Sequence, residues 1–268
     1  MSAGGEGCGQ RQRPTAQIVH AAAVPRPPRR PPGLHAKAFR GSTVIAEGRL
    51  TRNELRSTAW RRLFHDVYVC SCIPLTHAAR ATAAARVLLP GAVVSGRSAA
   101  LLWGVPTVGD ADDVELTVPP TWNVSAVRGV RVRRRILPSG AVTVDRGVRV
   151  TTPVVTALDI ARELPLDDAV VVLDRLARRA LRIAELRAAA EGASGPGCRR
   201  ARAAVALADG LAESPQETRL RLLLHRSSLP RPVAQHVVHD ADGRFVARVD
   251  FGWPDLKVAV EYEGRWHG

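Results

Sequence analysis

The sequence predicts a multidomain α/β chain of α+β type, and three observations carry that prediction. The first is length, since 268 residues exceed what one small core needs and the composition shifts mark two or three folded regions. The second is a Pro- and Arg-rich opening that gives way, near Ala38, to short helical patterns and a strand. The third is the finish, where one helix pattern precedes three period-two segments separated by turn residues. The expected divisions are a tail over 1–36, a first region over 37–75, a middle domain over 76–205 and a last domain over 206–268.

The opening stretch has an apolar run too short and too interrupted for a signal peptide, and it has no periodic apolar face. Residues 1–36 therefore read as a disordered basic tail, dispensable for folding. In "LTRNELRSTAWRRLFHDVYV", Thr51 and Glu54 have capping-box spacing, which starts a helix. "STAWRRLF" reads as a second short helix and "DVYVC" as a strand. Helix, turn, basic helix and strand is the layout of a winged helix-turn-helix, and its Arg61 and Arg62 either face DNA or form a solvated face.

The middle domain begins with the helical "LTHAARATAAARVLL" and continues through "SGRSAALLWGV" to the strand "DVELTVPP". "VRGVRVRRRIL" and "VTVDRGVRVTTP" are alternating β segments, and "VVTALDIARELPLDDAVVVLDRLARRAL" has helical apolar spacing. The run Arg131 to Arg135 reads as a strand showing a charged face to water, with phosphate contact as the other reading. "GRSAA" lacks the G-x-S-x-G elbow of a hydrolase, and neither a P-loop nor a G-x-G-x-x-G fingerprint occurs. His65 with Cys70 and Cys72 has poor spacing for zinc. After a glycine-rich break, "CRRARAAVALADGLA" gives a short helix.

In the last domain, Ser214, Pro215 and Glu217 fit the N-cap, N1 and N3 positions of a helix, and Glu217 shares a stripe with Leu220 and Leu224. "VAQHVVHD", "RFVARVDFGW" and "VAVEYEG" form a three-stranded meander through the turns "DADG" and "PDLK". With Asp255 and Leu256 central in the second turn, Asp250 falls opposite Glu261, and Glu263 shares the face of Glu261. Like charges so placed repel unless Arg248 offsets them, as in a surface salt-bridge ladder, or a hard cation such as Mg²⁺ sits among them.

Net charge is +14 and the sequence pI is about 11.2, which suits a polyanionic partner, although arginine in excess of lysine is also what a GC-rich genome yields. Four scattered cysteines imply a reduced, cytoplasmic chain. No stretch reaches the roughly 18 apolar residues of a membrane span.

The order Glu217, Asp250, then Glu261-Tyr262-Glu263 resembles the PD-(D/E)xK nuclease pattern. More narrowly, "RVDFGWPDLKVAVEYEGRWHG" resembles the DUF559 branch and the very-short-patch-repair endonucleases. That resemblance implies a restriction-endonuclease-like meander with one helix, incomplete at Gly268 because such cores continue past the Trp-His. It implies Mg²⁺ or Mn²⁺ held by Asp250, Glu261 and Glu217, with Glu263 standing where many of these enzymes carry lysine. Trp266 is expected to contact DNA and His267 to assist proton transfer. No zinc-ligand set like that of the mismatch-repair enzymes is present.

Upstream, "LTRNELRS", "FHDVYV", "SGRSAALLWGV" and "VTTPVVTALDIA" resemble the AbiEi-type antitoxins over about residues 38–205. This second resemblance implies DNA binding and a toxin or defence-system partner. The leading expectation is a DNA-binding protein with a metal-dependent endonuclease-like module hydrolysing phosphodiesters. The alternative is a non-enzymatic antitoxin-type transcriptional regulator with a degenerate nuclease module.

Overall fold

The computed structural model describes residues 28–263. Trp266, His267 and most of the expected tail lie outside the described residues. The first region holds β1 (Phe39–Arg40), α1 (Gly41–Ala46), α2 (Arg52–Leu55), β2 (Trp60–Phe64) and β3 (Val67–Cys70), with an antiparallel sheet in the order β1-β3-β2. The capping box is formed: Thr51 Oγ1 accepts from the Glu54 N–H and the Glu54 carboxylate accepts from the Thr51 N–H at 2.7 Å.

Two expectations for this region are corrected. "STAWRRLF" is not a second helix, because the Ser57 hydroxyl donates to the Glu54 carbonyl at 2.6 Å and closes the last turn of α2, after which Trp60 and Phe64 are buried from a strand paired with β3. Ordered packing also starts upstream of Ala38. Leu34 is 1 % exposed and joins Phe39, Val44, Leu50, Leu55 and Trp60 in one core, so a deletion through residue 36 removes a core side chain. Phe39 meets Trp60 edge-on with ring centroids 5.1 Å apart. Cys70 and Cys72 stand side by side across the turn after β3, with Cα atoms 5.3 Å apart.

The middle of the chain begins with α3 (His77–Ala83), which runs on as a π-helical turn over Ala84–Leu88. β4 (Val93–Val94), α4 (Gly96–Leu102), β5 (Val114–Val118), β6 (Val130–Arg134), β7 (Val142–Asp145) and β8 (Val148–Thr151) follow. They build a mixed sheet in the order β6-β5-β4-β8-β7. "VTVDRGVRV" is a hairpin and not one segment, because Arg146 and Gly147 both take positive φ, at 47° and 74°, as a tight two-residue turn requires. Val94, Leu116, Val118 and Val150 of this sheet pack with alanines of α3 and α4.

A helical layer comes next: α5 (Pro153–Glu163), α6 (Leu166–Arg179), α7 (Ile183–Glu191), α8 (Cys198–Leu207) and α9 (Pro215–Arg226). The long helical pattern breaks at Leu164, whose ψ of 157° is what the following Pro165 imposes. Helix α7 was not expected from the sequence. Ile160, Leu173, Leu176, Leu186, Val205 and Leu222 share one core, so α9, expected to open a separate domain, docks into the helices before it. The last sheet is the expected meander, β9 (Val233–His239), β10 (Phe245–Trp253) and β11 (Val258–Val260), in the order β11-β10-β9. Among the described residues no helix is long and apolar enough to cross a membrane.

Candidate nucleic-acid interface

The charged surface of the first region follows from how its carboxylates are used. Asp66, at the β2–β3 turn with φ of 57°, accepts from the Ser42 N–H at 2.8 Å and the Ser42 hydroxyl at 2.5 Å. The Gly41 N–H donates to the Asp66 carbonyl at 3.0 Å. A side chain at Gly41 would strike the Tyr68 ring, since an added Cβ falls 2.6 Å from Cε2. The hairpin is thus clamped to the start of α1, which fixes its angle to the helix pair.

Glu54 is likewise held in its cap, where the Thr51 backbone N–H and then its hydroxyl keep the carboxyl below its ordinary pKa. With both acids turned inward, Arg52 and Arg56 on α2 and Arg61 and Arg62 on β2 are exposed together with His65. Arg61 and Arg62 therefore stand on the hairpin, not on a helix as expected, because Trp60 and Phe64 claim the buried side of the strand.

The basic run of β6 has a different fate. Arg133 reaches Glu115 at 3.0 Å and Glu163 at 2.5 Å, while Arg131 lies 3.5 Å from Glu163. Arg135 forms a two-pronged pair with Asp159, and Arg134 donates to the Val124 carbonyl at 2.6 Å. Arg131 and Arg134 stay exposed, as expected of a charged face, while Arg133 and Arg135 are half-buried on carboxylates of β5 and α5.

"SGRSAALLWGV" explains itself around the same Glu115, which is 1 % exposed. Its carboxylate accepts from the Arg97 N–H at 3.1 Å and Arg97 Nε at 2.9 Å, and its own N–H donates to Ser98 Oγ at 2.9 Å. Ser98 Oγ also lies 2.7 Å from Nε2 of buried His77. Burial, and then the charge of Arg80, push the His77 imidazole below its ordinary pKa. Gly96 takes φ of 56°, and a Cβ there would sit 1.9 Å from Glu115 Oε2. This is a structural polar core in which His77 Nδ1 and Arg133 Nε are the buried atoms left without a hydrogen-bond partner. The sequence signal for it was the run Ser95-Gly96-Arg97-Ser98 before an apolar helix, which the sequence offers both as the absence of a hydrolase elbow and as part of the resemblance to the AbiEi-type antitoxins.

At the C-terminal end the structure brings some expected residues together and separates others. Pairing of Phe251 with Val260 and of Trp253 with Val258 sets the expected register, and Glu261 follows directly after the end of β11. Glu217 caps as expected at its N–H, 3.2 Å from Ser214 Oγ, but its carboxylate accepts from the Glu213 N–H at 2.7 Å and from Gln235 Nε2 at 3.2 Å. Asp250 accepts from the Tyr262 N–H at 2.8 Å. Arg248, expected beside Asp250, pairs with Glu213 at 3.1 Å. Glu217 is buried on α9 beside Gln235 of β9, while Glu261 and Glu263 are exposed. Among the described residues no group of three or more His, Cys, Asp or Glu side chains is placed to hold a metal ion. The Mg²⁺ or Mn²⁺ expected of Asp250, Glu261 and Glu217 does not fit this arrangement, because the buried carboxylate is spent on an N–H and an amide and the outer ones stay apart from it.

A family model described as the AbiEi antitoxin C-terminal domain matches residues 92–209. An AbiEi-type antitoxin-like C-terminal domain is present. It spans the mixed sheet from β4 onward and the helices α4 to α8, and so includes the Glu115 core. Two curated Mycobacterium tuberculosis proteins, the uncharacterised proteins MT2308 and Rv2248, are each 40% identical over 121 residues. The alignment covers 44% of this chain and 44% of each relative, so the chain spans under half the length of the curated proteins it matches. No solved structure gives a significant match. The chain as a whole is a mixed α+β multidomain architecture built around this AbiEi-like domain.

Proposed function

We propose that the chain is a non-enzymatic, DNA-binding transcriptional regulator of antitoxin type, working with a toxin partner. The observation that carries the reading is the exposed set Arg52, Arg56, Arg61 and Arg62, held on a helix pair and a clamped hairpin that α3 separates from the AbiEi-like domain. A helix pair between β1 and β2, with a sheet in the order β1-β3-β2, supports a winged helix-turn-helix in which α2 enters the major groove and the hairpin is the wing. In this reading Arg52 and Arg56 approach base edges and phosphates from the helix. Arg61 and Arg62 contact flanking phosphates from the wing, which adds affinity more than sequence choice.

The test is salt-dependent binding of the full chain to duplex DNA. Each phosphate contact contributes about 0.9 to the slope of log K against log salt, so the Arg61→Ala, Arg62→Ala double variant should flatten the slope by about 1.8 and weaken binding at low salt. Wild-type affinity that is flat between low and moderate salt would end the proposal.

A second reading, a PD-(D/E)xK-like module, keeps one supporting observation, the β10–β11 register, which if carried one residue further would bring Asp250 opposite Glu261. It requires Glu217, which already accepts from Gln235 of β9, to turn toward the carboxylates beyond β10. Calorimetric titration of Mn²⁺ into wild type and Asp250→Asn decides it, since equal heats in both reduce the carboxylates to parts of a hydrogen-bonded meander.

A further inference from the structure

We infer that the cavity where the end of β6, the last turns of α5 and the start of α8 meet binds a small diphosphate-bearing molecule. The cavity is about 440 Å³ and lies within the AbiEi-like domain. Its lining is almost wholly charged, with Pro196 the one apolar side chain among the described residues that form it. Charge, not apolar burial, therefore selects the occupant.

The position of each guanidinium is fixed by its partner. Arg135 pairs with Asp159 and Arg133 with Glu163, the two acids that line the cavity. Arg200 Nη2 donates to the Glu163 and Leu164 carbonyls at 3.3 and 2.8 Å, at the end of α5. Arg162 Nη2 donates to the Ser194 carbonyl at 3.2 Å, just before the lining turn. Its Cβ and Cγ are 3.0 and 3.2 Å from where a Cβ on Gly197 would stand, so the side chain packs on that turn.

Four arginines thus face two acids in the cavity. The surplus falls on Arg162 and Arg200, which among the described residues meet carbonyls and no carboxylate. Glu115 does not cancel it, because Arg97 and Arg131 share that acid with Arg133. The Nε–H groups of Arg133, Arg135 and Arg162 are also buried without a hydrogen-bond partner. Helix α8 starts at the same place, with Gly197 as an N-cap that supplies no side-chain bond, so its positive end adds to the surplus. An anion with several acceptor oxygens provides what these donors lack. The charged run is longer than one phosphate, since Asp159 and Glu163, which hold Arg135 and Arg133, stand one helical turn apart, about 6 Å. A diphosphate spans that run.

The experiment titrates sodium pyrophosphate into the full chain by calorimetry, at about 0.15 M salt to screen weak surface binding. Orthophosphate is the single-phosphate comparison. Pyrophosphate should bind at one site per chain, at least tenfold tighter than orthophosphate. The Arg162→Gln, Arg200→Gln double variant should lose about tenfold or more, because two charged donors are gone. Glu163→Gln keeps the side chain's shape but releases Arg133, and should tighten binding about threefold or more. Arginines that only brace the fold predict no such gain. No binding to wild type, wild-type affinity in the double variant, or no gain in Glu163→Gln overturns the site. If circular dichroism shows the double variant unfolded, Glu163→Gln decides alone. The site does not rest on the DNA-binding reading, so Arg61→Ala, Arg62→Ala should bind pyrophosphate as wild type does, and a loss there would place the binding on the first region instead. Duplex DNA that displaces pyrophosphate, and that binds more weakly to the Arg162→Gln, Arg200→Gln variant, would assign these arginines to nucleic-acid phosphates and end the small-molecule proposal.

Discussion

Replacing Asp174 with alanine should be the most damaging single change in the helical layer. Asp174 is fully buried on α6, and its four contacts tie three segments together. Oδ1 accepts from the N–H groups of Asp209 and Gly210, each at 3.0 Å, while Oδ2 accepts from Thr218 Oγ1 at 2.9 Å and Arg221 Nη2 at 2.7 Å. Alanine strands four donors at once. The guanidinium of Arg221 keeps Asp209 at 3.1 Å and the Leu207 carbonyl at 2.6 Å, so its charge is not wholly uncompensated. The loss should therefore be about 3–5 kcal/mol, the range for breaking a buried pair by removing one partner. With a urea dependence of about 3 kcal/mol per molar, the unfolding midpoint falls by more than about 1 M. Asp174→Asn retains an oxygen for the two N–H groups and should lose roughly half as much. Equilibrium urea unfolding by circular dichroism measures both. A loss under about 1 kcal/mol for alanine, or asparagine as damaging as alanine, would refute the view that this carboxylate docks α9.

Gly96→Ala combines left-handed backbone with a collision against Glu115 Oε2, whereas Gly48→Ala, at φ of 66° with no atom within 4 Å, carries the backbone cost alone. Thermal melts should show about 1 kcal/mol lost at Gly48 and at least twice that at Gly96, and equal losses would count against the close approach. For His77, whose pKa is lowered from 6.5, the unfolded chain takes up the proton first on acidification. Stability should therefore be fully present above pH 6.5 and fall as the pH drops toward the depressed folded value, and His77→Gln should remove that part of the slope. An unchanged slope in stability against pH would place the titration elsewhere.

Much of the fold was legible because its periods are clean. The strand pattern in "DVELTVPP" and the meander at the end appear as β5, β9, β10 and β11, and the Thr51–Glu54 spacing survives as a formed capping box. The errors fall where local pattern is ambiguous over a few residues. "STAWRRLF" has apolar residues at Trp60, Leu63 and Phe64, which suit a helical face, and only pairing with Val67 to Cys70 decides for a strand. Leu34 looked like part of a proline-rich tail because one apolar residue has no period, yet it fills a core that Phe39 and Trp60 leave open.

The candidate site was misjudged for a related reason, since charge in a sequence carries no direction. Arg131 to Arg135 and Arg61-Arg62 are both basic runs on strands, and composition treats them alike. What separates them is the partner strand or helix: β6 lies beside β5, which carries Glu115, and near α5, which carries Asp159 and Glu163. The hairpin of the first region has only Asp66 nearby, and that acid is already bound to Ser42. The same accounting explains the C-terminal carboxylates. Period two predicts Asp250 opposite Glu261, but β11 ends at Val260, and Glu217 accepts from Glu213 and Gln235, where hydrogen bonds satisfy it without a cation. A surface that interacts with another molecule is then the one whose charges the fold leaves unspent, and in the first region those are the arginines of α2 and β2.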